Sequence, residues 1–326
     1  MNDLERRYLR LLHAYPADYR RARGAEIVGT YLDLADPGRR WPSPADAADL
    51  LRGGLRQRLR AAGVTDLIPG VRLAALLAMV TASVLAGVWG VAELHPPPVE
   101  WGVPHLGPFV SLGVVAWAAW LLTAVVTAVA PSRIARLTIV LALLLTLALP
   151  PMAAALDAPR PPLYVLLPQV VLGLLGLALP DRPTRAIRLA PLLSALLALA
   201  GAEFLVGLDE IDGYYVPAST FLPAASGLLL TVGALLATGL AIGGDGRGGW
   251  ALVTLLTPAG FLAVPALAGG IGPMQGAITF AQLTGSAAAV AVAGPAVLLL
   301  TILVRTRRTP STQHPGQPCP TCGARA

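Results

Sequence analysis

The chain has 326 residues and a formal net charge of +6, with 55% hydrophobic and only 13% charged residues, about half the charge of an ordinary globular protein. The charge is clumped: residues 1–66 hold twelve Arg and nine acids, whereas the next 238 hold eight Arg and nine acids. A soluble domain of the second composition cannot cover itself with polar groups. The apolar content and the two Cys also exclude a disordered chain and a disulfide-stapled secreted fold.

What remains is a polytopic membrane protein with a polar head. All 24 basic residues are Arg, so P-loop, Schiff-base and Ser-Lys chemistry are out. With the heavy Ala, Leu, Gly and Pro usage, this points to a high-GC bacterial genome.

Residues 1–66 read as three helices. The first, 2–14, opens with Asn2 and Glu5 at capping-box spacing. It carries Leu4, Tyr8, Leu11, Leu12 and Tyr15 as an amphipathic stripe. Pro16 breaks it and opens the second, 17–35, with Tyr19, Ile27, Tyr31 and Leu34 on one side. After a Pro- and Gly-rich loop, Ser43 caps the third, the amphipathic basic helix 44–62, with Asp46 three residues on. There Leu51, Leu55 and Leu59 run beside Arg52, Arg56 and Arg60 at i+4 spacing, with Arg58 added.

Like charges so placed repel one another in an isolated helix. They fit an anionic membrane surface, with leucines dipped into lipid and arginines on phosphates. The alternatives are leucines in a small helical core with arginines in water, or nucleic acid, for which no base-reading motif is present.

The run Glu5-Arg6-Arg7-Tyr8-Leu9-Arg10-Leu11-Leu12, followed by Tyr15-Pro16-Ala17-Asp18-Tyr19-Arg20 and Gly24-Ala25-Glu26, resembles a family of bacterial N-terminal helical modules. It includes the HAAS-type signalling domain and the prefix domain of some permeases. The resemblance is confined to the head and implies a short helix–Pro–helix unit ahead of membrane spans. Some HAAS-type proteins are linked with PadR-type transcription regulators, so a cytosolic regulator is the partner it implies.

Stretches long enough to cross a bilayer lie near 71–92, 108–130, 134–156, 163–180, 188–208, 220–243, 250–270 and 278–304. The third contains Pro150-Pro151 near its end and the fourth is short and carries Pro168, so this pair has a re-entrant hairpin as its alternative, which leaves six or seven spans. With eight spans, 23 of the 24 Arg fall in or beside one set of loops, and only Arg160 lies opposite. The positive-inside rule then places both termini in the cytosol. No cleavable signal precedes the first span, so a bacterial inner membrane is expected.

The candidate sites are sparse. Cys319 and Cys322, with His314, resemble one knuckle of a zinc ribbon. A structural zinc needs four donors, so a Pro-rich disordered tail over 305–326 is expected instead. Glu93, His95, Glu100 and His105 share the first outer loop but fit no rigid metal motif, so they read as polar loop residues. Glu203 lies inside a span, either as a proton or cation site or as a carboxylate reaching the headgroups. Gln169 reads as an interhelical hydrogen bond. Gly239-x-x-x-Gly243 and Gly285, Ala289 and Ala293 read as faces for close helix approach. The Gly243–Gly249 loop lacks the Lys and strand of a phosphate cradle.

The expected fold is therefore all-α: a transmembrane bundle over 71–304 of about eight spans, with a three-helix cytosolic head over 1–66. The expected function is non-enzymatic signalling or regulation without a cofactor. The head would dock a cytosolic regulator through Tyr8, Leu12, Tyr19 and Tyr31, with membrane lipids as the other partner. The alternative is a small-solute transporter or permease component with Glu203 in its pathway.

Overall fold

The computed structural model describes residues 3–36, 39–61, 65–96, 105–207, 215, 218–271 and 279–308, and no strand occurs among them. Two compact units emerge: Met1–Thr65 with Leu299–Ala326, and Asp66–Leu298.

In the first unit, α1 (Asp3–Leu11) runs into a 3-10 turn (Leu12–Ala14), then α2 (Ala17–Asp33) and α3 (Pro44–Ala61). The capping box falls at the start of α3. The Asp46 amide donates to Ser43 Oγ at 3.0 Å, and the Ser43 amide donates to Asp46 Oδ2 at 3.2 Å. Asn2 of the other expected box lies outside the described residues. Gly53 and Gly54 weaken α3 by about 1 kcal/mol each relative to Ala, and the packing explains them. A Cβ on Gly53 would sit 2.3 Å from the Tyr15 hydroxyl, and one on Gly54 2.6 Å from Ala14 Cβ. Only bare backbone lets α3 rest on the 3-10 turn.

Beyond the head, α4 (Leu67–Glu93), α6 (Ser132–Leu156), α8 (Arg185–Val206), α9 (Ala218–Ile242) and α12 (Phe280–Arg308, in the second unit as far as Leu298) are, among the described residues, the five helices long and apolar enough to cross a membrane. The pair α10 (Arg247–Leu262) and α11 (Val264–Ile271), bent by 66°, makes a sixth if it is one broken span. α5 (Gly113–Val129) and α7 (Leu163–Gly176) are apolar but shorter. This is the make-up of a multi-pass membrane protein. The two prolines behind the hairpin alternative do not break the chain, because α6 runs on through Pro150 and Pro151. The sharp bend lies between α10 and α11 instead.

α4 is the buried centre. Ala74, Ala75, Ala78, Ala82 and Ala86 are fully buried along it, and small side chains of this kind let neighbouring backbones close in where lipid offers no hydrophobic drive. A Cβ on Gly87 would lie 2.9 Å from Ala198 Cβ of α8. Side-chain hydrogen bonds add fixed points. Trp120 Nε1 donates to Thr146 Oγ1 at 3.0 Å, and Gln169 Nε2 donates to the Ala82 carbonyl at 3.2 Å, as expected of an interhelical amide.

The expected small-residue faces are out of phase. Gly239 and Gly285 meet nothing, while Gly294 packs on Thr257 and Gly260 on Val290. Ala289 and Ala293 are exposed. The face of α12 that meets α10 is thus one residue along from the expected stripe.

Candidate functional site

Both units carry features beyond packing. The head core is Leu4, Tyr8, Leu12, Tyr15, Val28 and Leu50, with Tyr19 and Tyr31 partly buried against it. Tyr8 and Leu12 are 0% and 3% exposed. The expectation that they form a docking surface is corrected: as core groups of three converging helices they are hidden from a partner. Their polar ends are used internally. The Tyr8 hydroxyl donates to Asp46 Oδ2 at 3.0 Å and that of Tyr31 to Asp49 Oδ2 at 2.6 Å. Burial, and next the bond to a carboxylate, raises both phenols above their ordinary range. Hydrogen bonds from Ser43, and then from Tyr8, hold Asp46 below the usual carboxylate range.

Two accessible head features remain. On α3 the buried position is taken by Leu50, while Leu51 and Leu55 are 50% and 58% exposed, and Arg52 and Arg56 are exposed beside them. Leu51 and Leu55 therefore do not serve the head core. The Leu59 and Arg60 side chains lie outside the described residues. Arg58 has a different job: its Nε donates to the Ala14 carbonyl at 2.7 Å, pinning α3 to the 3-10 turn. Between α1 and α2 lies an open groove of about 660 Å³. Leu9, Val28 and Leu32 form its apolar wall, Gly29 leaves it open, and Glu5, Arg20 and Arg21 are its charged lining, Arg21 being paired with Asp18.

The second unit holds a buried polar cluster at the end where α4 finishes. Glu93, the last residue of α4, is 0% exposed. Its Oε1 accepts from Ser111 Oγ and from the Tyr215 hydroxyl, both at 2.5 Å, and its Oε2 accepts from the Ser111 amide at 2.7 Å. Each hydroxyl in turn accepts from a group that can only donate: Ser111 Oγ from the Gly113 amide at 3.0 Å, and Tyr215 from Trp117 Nε1 at 2.8 Å. The direction of the network is therefore set at its ends, and all three bonds arrive at Glu93 as donors.

A carboxylate at a helix C-terminus faces the negative end of the helix dipole, so these donors offset a real penalty. Space is as tight as the bonding, since a Cβ on Gly113 would lie 2.4 Å from Glu93 Oε1 and 2.5 Å from Pro161 Cγ. Tyr215 has φ +59, a backbone state that costs an aromatic residue on the order of 1–3 kcal/mol. It is held there by the same two hydrogen bonds.

The reading of Glu93 as a polar loop residue is thus corrected. The helix runs one residue past the expected span and turns the carboxylate inward. His95 instead lies 4.0 Å from Glu203, whose side chain is 54% exposed on α8. The His105 ring contacts the Gly107 carbonyl. Among the described residues, no three His, Cys, Asp or Glu gather as metal donors. Glu100, His314, Cys319 and Cys322 lie outside them. Ser111, Trp117 and Tyr215 went unnoticed in the sequence, where only their small size or aromatic character is visible.

No family model matches the chain, and neither the curated proteins nor the solved structures offer a match.

Proposed function

We propose that this chain is a non-enzymatic regulatory or signalling protein of a bacterial inner membrane. In this reading eight spans, counting α5, α7 and the bent α10–α11 pair, place both termini in the cytosol. The head is the working part. It reads a cytosolic regulator, as its resemblance to HAAS-type modules implies, while its basic helix rests on the inner leaflet.

The observation that carries the reading is the surface the head leaves open. The α1–α2 groove has an apolar wall, a glycine gap and a charged lining of two arginines against one acid, Glu5. That chemistry suits an amphipathic helix with acidic flanks. The exposed Leu51–Leu55 and Arg52–Arg56 rows suit anionic lipid. The transporter alternative gains nothing comparable from Glu203, whose side chain is half exposed beside His95.

The test fills the groove without touching the core. Ala25 is exposed and a Cβ on Gly29 meets nothing, so Ala25→Trp with Gly29→Leu leaves α2 intact. Transcript profiles of the wild type, a deletion strain and this variant are compared at equal membrane abundance. The variant should reproduce the deletion profile. A wild-type profile from the filled groove overturns the proposal.

A further inference from the structure

The end of the bundle at which α4, α6, α8 and α10 begin contains two adjoining cavities. The first, about 420 Å³, is walled by Leu73, Leu76, Leu236 and Leu240, with Arg72 and Arg247 as its only charged lining. The second, about 230 Å³, shares Pro180 and Ile187 with it and adds Arg136, Arg182 and Arg188 against one acid, Asp181. Together they present five guanidinium groups and one carboxylate.

Part of that charge is already committed. Arg136 pairs with Asp181 at 2.6 Å, Arg188 donates to the Ala130 carbonyl at 2.7 Å, and Arg247 pairs with Asp245 at 2.7 Å. Arg72 is exposed and has no acidic partner among the described residues. α10 opens its N-terminal turn at Arg247, where Asp245 Oδ1 already accepts from the Arg247 amide at 3.0 Å, so the arginine side chains, not the helix end, carry the charge of the groove. A charged mouth over an apolar wall, opening beside membrane helices, matches one kind of molecule: an anion carrying a hydrocarbon chain.

We propose that the first cavity is a binding site for an anionic phospholipid. Its phosphate sits at Arg72 and Arg247, and one acyl chain lies along Leu73, Leu76, Leu236 and Leu240. The neighbouring arginines supply the surrounding positive field. The site rests on the membrane placement proposed above but not on the head's signalling role.

Native mass spectrometry of the full chain, released from mixed micelles of phosphatidylglycerol and phosphatidylcholine, tests it. Retention should favour phosphatidylglycerol by about 25-fold, at about fivefold for each arginine near the surface. Arg72→Gln with Arg247→Gln should remove that preference, and Arg72→Lys with Arg247→Lys should keep most of it. Leu236→Trp fills the apolar wall at a partly exposed residue and should lower phosphatidylglycerol retention with every charge in place.

Arg52→Gln with Arg56→Gln should leave the bound lipid untouched. If that head variant alone abolishes retention, the inference falls while the head's membrane contact stands. Unchanged retention after the Arg72 and Arg247 changes, or displacement by glycerol phosphate as effective as by lipid, also overturns it.

Discussion

Glu93→Gln is nearly isosteric and removes only the charge and one acceptor, which makes it the sharpest probe of the second unit. Three donors reach the carboxylate, two on Oε1 and one on Oε2. An amide keeps one oxygen. Left on the Oε1 side, it still accepts both hydroxyls, but its NH2 then faces the Ser111 amide, donor against donor. Flipped, it accepts from Ser111 but confronts two hydroxyls that already receive protons from Gly113 and Trp117. Neither rotamer satisfies the site.

A buried donor left without a partner costs about 1–3 kcal/mol, and a hydrogen bond to a charged group contributes about 1.5–3 kcal/mol. Glu93→Gln should therefore destabilise by about 2–4 kcal/mol. Tyr215→Phe removes one of the three bonds and strands Trp117 Nε1, so it should cost about 2 kcal/mol. The double variant should cost less than the sum, because both changes break one network.

Thermal unfolding of detergent-solubilised protein, followed by tryptophan fluorescence, measures these differences. A Tm drop of about 4–16 °C is expected for Glu93→Gln, at roughly 2–4 °C per kcal/mol. An unchanged Tm refutes the reasoning, since it means that a neutral group satisfies the same donors equally well.

Four further outcomes are expected. Reporter fusions after residue 100 should behave as extracytoplasmic and those after 66, 185 and 310 as cytosolic; an outward C-terminus breaks the even span count. A 1–66 fragment should bind anionic vesicles at low salt and lose about 1 kcal/mol for each of Arg52, Arg56 and Arg60 changed to Gln, and a wild-type fragment that ignores such vesicles removes the interfacial reading. The same fragment should lose stability in strong alkali. The Tyr8 and Tyr31 pKa values lie above their ordinary value of 10.0 in the fold, so the stabilisation is complete below pH 10 and lost as pH rises through the folded values; the alkaline loss should shrink in Tyr31→Phe, as measured by circular dichroism. Metal analysis of purified protein should find well under one zinc per chain, and stoichiometric zinc that disappears in Cys319→Ser with Cys322→Ser points to donors from another chain.

The helices were legible because their signals are local. The Ser43-x-x-Asp46 box, the 3.6-residue stripe of α1 and the long apolar runs each declare themselves within one or two turns. Phase was harder to read. Along α12 the packed and exposed faces have almost the same composition, because lipid is as apolar as a neighbouring helix. Gly285 and Gly294 therefore look alike in sequence, although only the second meets another helix. The same ambiguity hid the split between Leu50 and Leu51 on α3, where one adjacent leucine is core and the other exposed.

The Glu93 cluster was illegible for a different reason, and that reason says what the cluster does. Its donors come from 18 and 122 residues away, so no spacing rule joins them. Glu93 stands immediately before Leu94, His95 and a run of prolines, a context that reads as loop. Only when α4 carries the carboxylate inward do the entry to α5 and the segment ahead of α9 converge on it. The carboxylate therefore fastens three chain segments at one end of the bundle. The left-handed backbone of Tyr215 is the cost of bringing its hydroxyl there. At the opposite end, arginines on backbone carbonyls and Asp181 do the equivalent fastening. One end is closed by a buried acid that only accepts, and the other by half-buried arginines that only donate.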